Sequence, residues 1–294
     1  MLVHHPDYFC DIGTHVFPTR KFGLVRERLL AEDPSLMIAA PEALPREAAL
    51  LAHTPEYLTD LDGDEHTERT RASELPMSRQ IVNAYYLATA GTCLAAKIAL
   101  EHGGGINLSG GFHHAYADCA EGFCYLNDVA VAARQLQKDD GVGKIAIVDC
   151  DVHQGNGTAH IFEDDRTVFT FSMHQRDNYP MIKEKSDLDV ELRNGVGDDE
   201  FCEELSGALE RISTEFEADF VFYLAGVDPY ENDQLGGLGL SMDGMRRRDR
   251  LVFEWCQANK TPVAVVLAGG YAVDTDDTVQ MHCNTYRELE SVIG

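Results

Sequence analysis

Residues 144–157 read KIAIVDCDVHQGNG. The run from Lys144 to Val148 is apolar and rich in β-branched side chains, the pattern of a strand buried on both faces. It ends with Asp149, Asp151 and His153 at alternate positions. In an extended backbone, side chains two apart project to the same side, so three groups able to bind metal or carry protons point one way. A buried strand that ends in such chemistry belongs to an open α/β sheet, whose active site lies at the carboxyl ends of its strands.

Four further runs have the same character: GGINLSGG (104–111), RTVFTFSMH (166–174), DFVFYLAGVD (219–228) and TPVAVVLAGGY (261–271). Helical patterns lie over 78–103, 127–139, 199–216 and 243–259. This alternation predicts crossover connections and an open, mainly parallel sheet flanked by helices. At 294 residues and 44% hydrophobic, the chain is long enough for one α/β domain over 1–294. There is no internal repeat. The polar stretch Asp60–Arg71 and the region around Pro41 and Pro45 read as surface excursions.

Fifty acidic against 24 basic residues give a net charge of −26. Such a surface repels phosphate backbones and anionic bilayers, so the expectation is no direct nucleic-acid partner and no membrane. It suits cationic substrates such as lysine side chains or polyamines, although a well-solvated surface carries the same signature. The eight cysteines are scattered with no C-x-x-C pair, which fits a reducing compartment. The N-terminal MLVHHPDYFCDIG lacks the basic and apolar regions of a signal peptide, so the expected location is the cytoplasm.

The strand ends supply a reaction set. Asp151, His153 and Asp228 offer two carboxylates and one imidazole, which leaves an open position, as catalytic zinc requires. Ferrous iron or manganese would also accept these ligands. His113 and His114, in GGFHHA, can act as general base or acid. Asp149 and Asn156 can each hold an imidazole nitrogen, and Tyr271, in AGGY, can donate to a developing oxyanion. D-x-D-x-H or Gly-Gly-Tyr alone is a weak signal. Their convergence carries the argument.

GGFHHA, EGFCYLNDVA, DCDVHQGNGT, LAGVDPYENDQLGGL and LAGGY together resemble the histone deacetylase family, zinc amidohydrolases of the arginase–deacetylase fold. The motifs run in the family's order from about Gly104 to Tyr271. HVFPTRKFGLV, HQGNG, VELRNGVGDDEF and DQLGGLGLS look most like the class IV branch and its bacterial relatives. The resemblance implies zinc at Asp151, His153 and Asp228, a catalytic pair at His113 and His114 partnered by Asp149 and Asn156, and Tyr271 as oxyanion donor. It also implies Gly122 as acceptor of the substrate amide N–H, with Phe123, Tyr179 and Leu235 as tunnel walls. A structural potassium ion is implied at Asp149, Asp151, His153, Ser172 and Met173, and a second at Phe162, Asp165 and Val168. A basic residue beneath the tunnel would be Arg20 or Lys21.

The implied activity is hydrolysis of acyl-lysine, with acylpolyamine hydrolysis as the nearest rival and a non-catalytic acyl-lysine binding module as a wider one. Two departures bear on it. Gln154 stands where many members carry histidine, and Asn156 where some carry aspartate, which leaves open which histidine is the base. The family's loop aspartate that clamps substrate backbone has no recognisable counterpart in Glu65–Ser78.

Overall fold

The computed structural model describes residues 1–63 and 65–294; Asp64, within the expected surface loop Asp60–Arg71, lies outside the described residues. In chain order the elements are β1 (Leu2–Val3), α1 (Lys21–Glu32), β2 (Ile38–Ala39), α2 (Arg46–Ala49), α3 (Pro55–Leu61), α4 (Arg79–His102), β3 (Gly104–Asn107) and α5 (Asp128–Gln135). They continue with β4 (Ile145–Asp149), α6 (Asn156–Phe162), β5 (Val168–Gln175), β6 (Leu188–Leu192), α7 (Asp198–Glu215), β7 (Phe220–Leu224), α8 (Met242–Asn259), β8 (Val263–Val266) and α9 (Thr275–Val292).

The eight strands form one parallel sheet in the order β2-β1-β3-β8-β7-β4-β5-β6. Helices cover it, as the sequence pattern requires. Every residue of β4 is buried, which explains its uninterrupted apolar run. Cutting Ile147 back to alanine there would cost roughly 2 to 5 kcal/mol.

All five expected strands are present. Ser172, Met173 and His174 lie within β5, which runs on to Gln175 in register with β6. The four expected helices are also present. The Ser78 side chain caps α4 by accepting the Ile81 N–H at 3.3 Å, and Gly103 ends it at φ 87°. Beyond α5 the chain continues in a wide turn, Leu136–Asp140, stopped by Gly141 at φ 70°. Pro41, expected on the surface, is buried.

The order of the strands places the site. β3, β8, β7 and β4 are consecutive neighbours, and the segments leaving their carboxyl ends carry His113 and His114, Tyr271, Asp228, and Asp151 with His153 in turn. Four crossovers that are distant in sequence thus meet over the middle of the sheet.

Candidate active site

Asp151, His153 and Asp228 meet with one donor atom each, all within 4.8 Å of one another, and all three are buried. His153 Nδ1 lies 3.0 Å from Asp151 Oδ1 and 3.3 Å from Asp228 Oδ2. Backbone groups hold the other oxygens. Gly269 N–H donates to Asp151 Oδ2 at 2.8 Å, and Val152 N–H to Asp228 Oδ1 at 2.9 Å. Asp228 Oδ2 accepts no hydrogen bond although it is buried.

This cluster requires positive charge. Burial, reinforced by the Asp151 carboxylate, pushes Asp228 up to about 7. Burial alone would lower the His153 imidazole, but its hydrogen bond to Asp151 and the nearby Asp228 carboxylate outweigh that and push it up to about 10. A proton on His153 thus does what a cation would do better. Two carboxylates, one imidazole and an orphaned oxygen fit a divalent metal with an open coordination position.

The two histidines lie beside this cluster with ring centroids 4.1 Å apart and ring planes tilted by 52°. His113 Nδ1 is 2.7 Å from Asp149 Oδ2, and His114 Nδ1 is 2.7 Å from Asn156 Oδ1. Their environments diverge. Burial opposes charge on His113, but the Asp149 and Asp151 carboxylates prevail and push it up to about 9. Burial, then the neighbouring His113 and His153 charges, push His114 well below the usual imidazole value. Asn156 is neutral and cannot compensate.

Above these groups lies a cavity of about 220 Å³. Gly122, Phe123, Tyr179, Leu235 and Tyr271 all line it, together with both histidines. The Tyr179 ring meets His114 edge-on at 5.0 Å. Gly122, at φ 50°, is a required glycine, because a Cβ there would lie 2.5 Å from the His114 ring. Tyr271 is held by its backbone, its N–H donating to Asp233 Oδ2 at 2.7 Å. Burial, then the Asp228 and Asp151 carboxylates, push its phenol well above the usual value, so it remains a donor.

Of the two candidate basic residues, Lys21 lies beneath the cavity. It is fully buried, donates to the Ala268 carbonyl at 2.7 Å, and sits 5.7 Å from the Tyr271 ring centre. Burial pushes it down to about 8 although Asp228, Asp151 and Asp233 pull the other way. Arg20 is exposed and reaches Thr275 instead. Ser172 is the register partner of Asp149 across β4 and β5, with Met173 next along the strand. Phe162 ends α6 and Val168 opens β5, with Asp165 between them donating its N–H to Phe162 O at 2.9 Å.

No motif assigns a role to two lining residues: Phe17, within HVFPTRKFGLV, stacks on Phe123, and Glu74, held at φ 60°, stands exposed at the edge. Gly269 lay inside the AGGY motif, yet its contact with Asp151 is visible only in three dimensions.

A family profile described as "Histone deacetylase domain" matches residues 15–286. The chain belongs to the histone deacetylase family. An uncharacterised protein of Picosynechococcus sp. is 43% identical over 99% of this chain and 98% of its own length. Histone deacetylase 2 of Arabidopsis thaliana is 31% identical over 87% of this chain and 70% of its own. The crystal structure of the HDA15 HD domain superposes with a TM-score of 0.82 at 22% identity, over 99% of this chain and 92% of that one, which shows a common fold. The histone deacetylase family is one of hydrolases, and its arginase–deacetylase fold is the eight-stranded parallel sheet described above. Among the described residues no helix is long and apolar enough to cross a membrane.

Proposed function

We propose that the chain is a single catalytic domain, residues 1–294, that hydrolyses the amide bond of an acylated lysine side chain with the help of zinc. The observation that supports this reading best is the meeting of an open two-carboxylate, one-imidazole cluster with a histidine pair and a phenol at the foot of one narrow cavity. Asp151, His153 and Asp228 would hold the metal. Zinc there, or ferrous iron, supplies a Lewis acid for the acyl carbonyl and acidifies water.

The chain's own residues do the rest. Phe123 and Tyr179 flank the aliphatic lysine stem, with Leu235 on the wall, while the Gly122 carbonyl accepts the substrate amide N–H. His114, bonded through Nδ1 to a neutral amide, offers Nε2 as base to the attacking water. His113, bonded to the Asp149 carboxylate, carries positive charge beside the reacting centre. The Tyr271 hydroxyl donates to the carbonyl oxygen as it becomes negative. The proton gathered by His114 then passes to the leaving amine.

Potassium at Asp149, Asp151, His153, Ser172 and Met173 would brace the strand end that carries these groups, with a peripheral ion at Phe162, Asp165 and Val168. The class IV placement rests on the motif resemblance. Eight free thiols support a reducing, cytoplasmic setting.

A second reading, acylpolyamine hydrolysis, is favoured by the net charge of −26 and by the Glu74 carboxylate at the cavity edge. The test is a panel of acetyl, longer acyl and lactyl lysine peptides beside acetylated polyamines, compared as kcat/KM. The lysine reading requires the highest value on a peptide. A polyamine preferred by tenfold or more over every peptide would replace it, and binding without turnover on any member would remove hydrolysis altogether.

A further inference from the structure

Glu121 begins a tight turn just outside the cavity. Its N–H donates to the Cys124 carbonyl at 3.2 Å, and the Cys124 N–H returns to the Glu121 carbonyl at 2.8 Å. Between them Gly122 and Phe123 have φ of 50° and 64°, both positive, as a type I′ turn demands. Phe123 adopts this unfavourable conformation because the loop is pinned: Gly122 N–H donates to Ala72 O at 3.1 Å and Phe123 N–H to Ser73 O at 2.9 Å. The turn presents Gly122 and Phe123 to the cavity and leaves the half-buried Glu121 side chain behind its wall.

There one oxygen serves two partners. Glu121 Oε1 accepts from the Tyr179 hydroxyl at 2.8 Å and from Asn156 Nδ2 at 3.0 Å. The second Asn156 amide hydrogen goes to the Tyr116 hydroxyl at 3.0 Å, and that hydroxyl donates to Glu184 Oε1 at 3.2 Å. A carboxylate only accepts, so it admits the NH₂ end of Asn156 and repels the carbonyl end. Asn156 Oδ1 is thereby turned to His114 Nδ1, which must then donate. With its proton on Nδ1, His114 keeps the Nε2 lone pair free.

We propose that Glu121 is a positioning residue for His114: its carboxylate fixes the Asn156 amide, and through it the His114 tautomer, while the same oxygen anchors the Tyr179 wall. Asn156 thus relays a negative charge that it does not carry, since each bond in the chain polarises the next. The neutral amide at position 156 is thereby backed by a carboxylate one residue further out. This inference rests on His114 being the base of the proposed hydrolysis.

The test compares Glu121→Leu and Glu121→Gln with wild type, each also in the Asn156→Ala background and beside Tyr179→Phe. Glu121→Leu should lower kcat by about 10-fold or more, the scale of lost outer-shell partners. Glu121→Gln, which keeps an acceptor without charge, should fall between. In the Asn156→Ala background neither substitution should lower kcat by more than about twofold, because the relay is already broken. Tyr179→Phe, which loosens the wall but keeps the Glu121–Asn156 bond, should raise KM and lower kcat less than Glu121→Leu does.

Nitrogen-15 spectra of the metal-free and metal-loaded protein read His114 directly: the Nδ1–H form should dominate in wild type and give way to a mixture in Glu121→Leu. An equal kcat loss with and without Asn156, a full loss in Tyr179→Phe, or an unchanged His114 spectrum in Glu121→Leu would overturn the proposal. The spectra answer even if wild type turns over no acyl substrate, which would instead defeat the functional reading.

Discussion

Gly269 approaches Asp228 so closely that a Cβ on the glycine would lie 1.9 Å from Asp228 Oδ2, and 2.6 Å from Asp151 Oδ2. Both carboxylates are buried and cannot swing into open solvent. The expected outcome for Gly269→Ala is therefore a displaced pair of the proposed metal ligands in a folded protein. Zinc affinity, measured by competition with a chelator of known affinity, should fall by about 10- to 100-fold, as for disturbed outer-shell partners. Wild-type affinity in Gly269→Ala would show that the metal is held elsewhere.

Tyr271→Phe tests the proposed oxyanion donor. The ring and its contacts with Phe17 and Phe123 remain, and only the hydroxyl goes. In the proposed role that hydroxyl acts on an oxygen charged only in the transition state, so kcat should drop about 10²- to 10³-fold with KM and metal content little changed. Steady-state kinetics within about threefold of wild type would assign Tyr271 to the wall alone.

A third prediction concerns stability and lies away from the site. His53 is fully buried, accepts the Asn127 N–H through Nε2 at 3.0 Å, and is pushed down to about 4 by burial. Its folded value lies below the unfolded one of about 6.5, so the unfolded chain binds the extra proton between those limits. Stability is complete above about pH 6.5 and declines as pH falls toward 4. His53 alone should remove roughly 2 kcal/mol by pH 5. Urea unfolding at pH 7.5 and 5 should show a smaller pH-dependent loss in His53→Gln than in wild type; equal losses would exclude His53 as a source.

These features differ in how visible they are before folding. β4, β7 and β8 are legible because burial on both faces leaves an apolar run, and β3 and β5 are equally buried though they carry polar residues such as Asn107, Ser172 and His174. β1 and β2, two residues each, are too short for a pattern, and β6 is an edge strand that alternates with Asp189 and Glu191. α9 escapes for another reason: its buried face is partly polar. Thr285 donates to Asp249 Oδ2 at 2.7 Å, and Glu288 takes Arg246 and Arg250, each at 2.8 Å through Nε. α1 begins with the buried Lys21, which reads as a surface residue.

The site divides the same way. Asp149, Asp151 and His153 are legible because they close a buried apolar run at alternate positions, although β4 ends at Asp149 and the other two stand in the bend beyond it. His113, His114 and Tyr271 follow from position at strand ends. Glu121, Phe17 and Glu74 acquire their places only through contacts between distant segments, such as Glu121 with Tyr179 at 2.8 Å, and no local spacing encodes these.

The most direct measurement strips the purified protein with chelator, follows hydrolysis of an acetyl-lysine peptide, and then adds zinc in equimolar steps, with Asp228→Ala in parallel. Activity should vanish on stripping and return in proportion to bound zinc, saturating at about one ion per chain, while Asp228→Ala neither binds nor recovers. Full turnover in the stripped protein, or Asp228→Ala that binds zinc and hydrolyses the peptide like wild type, would contradict the account.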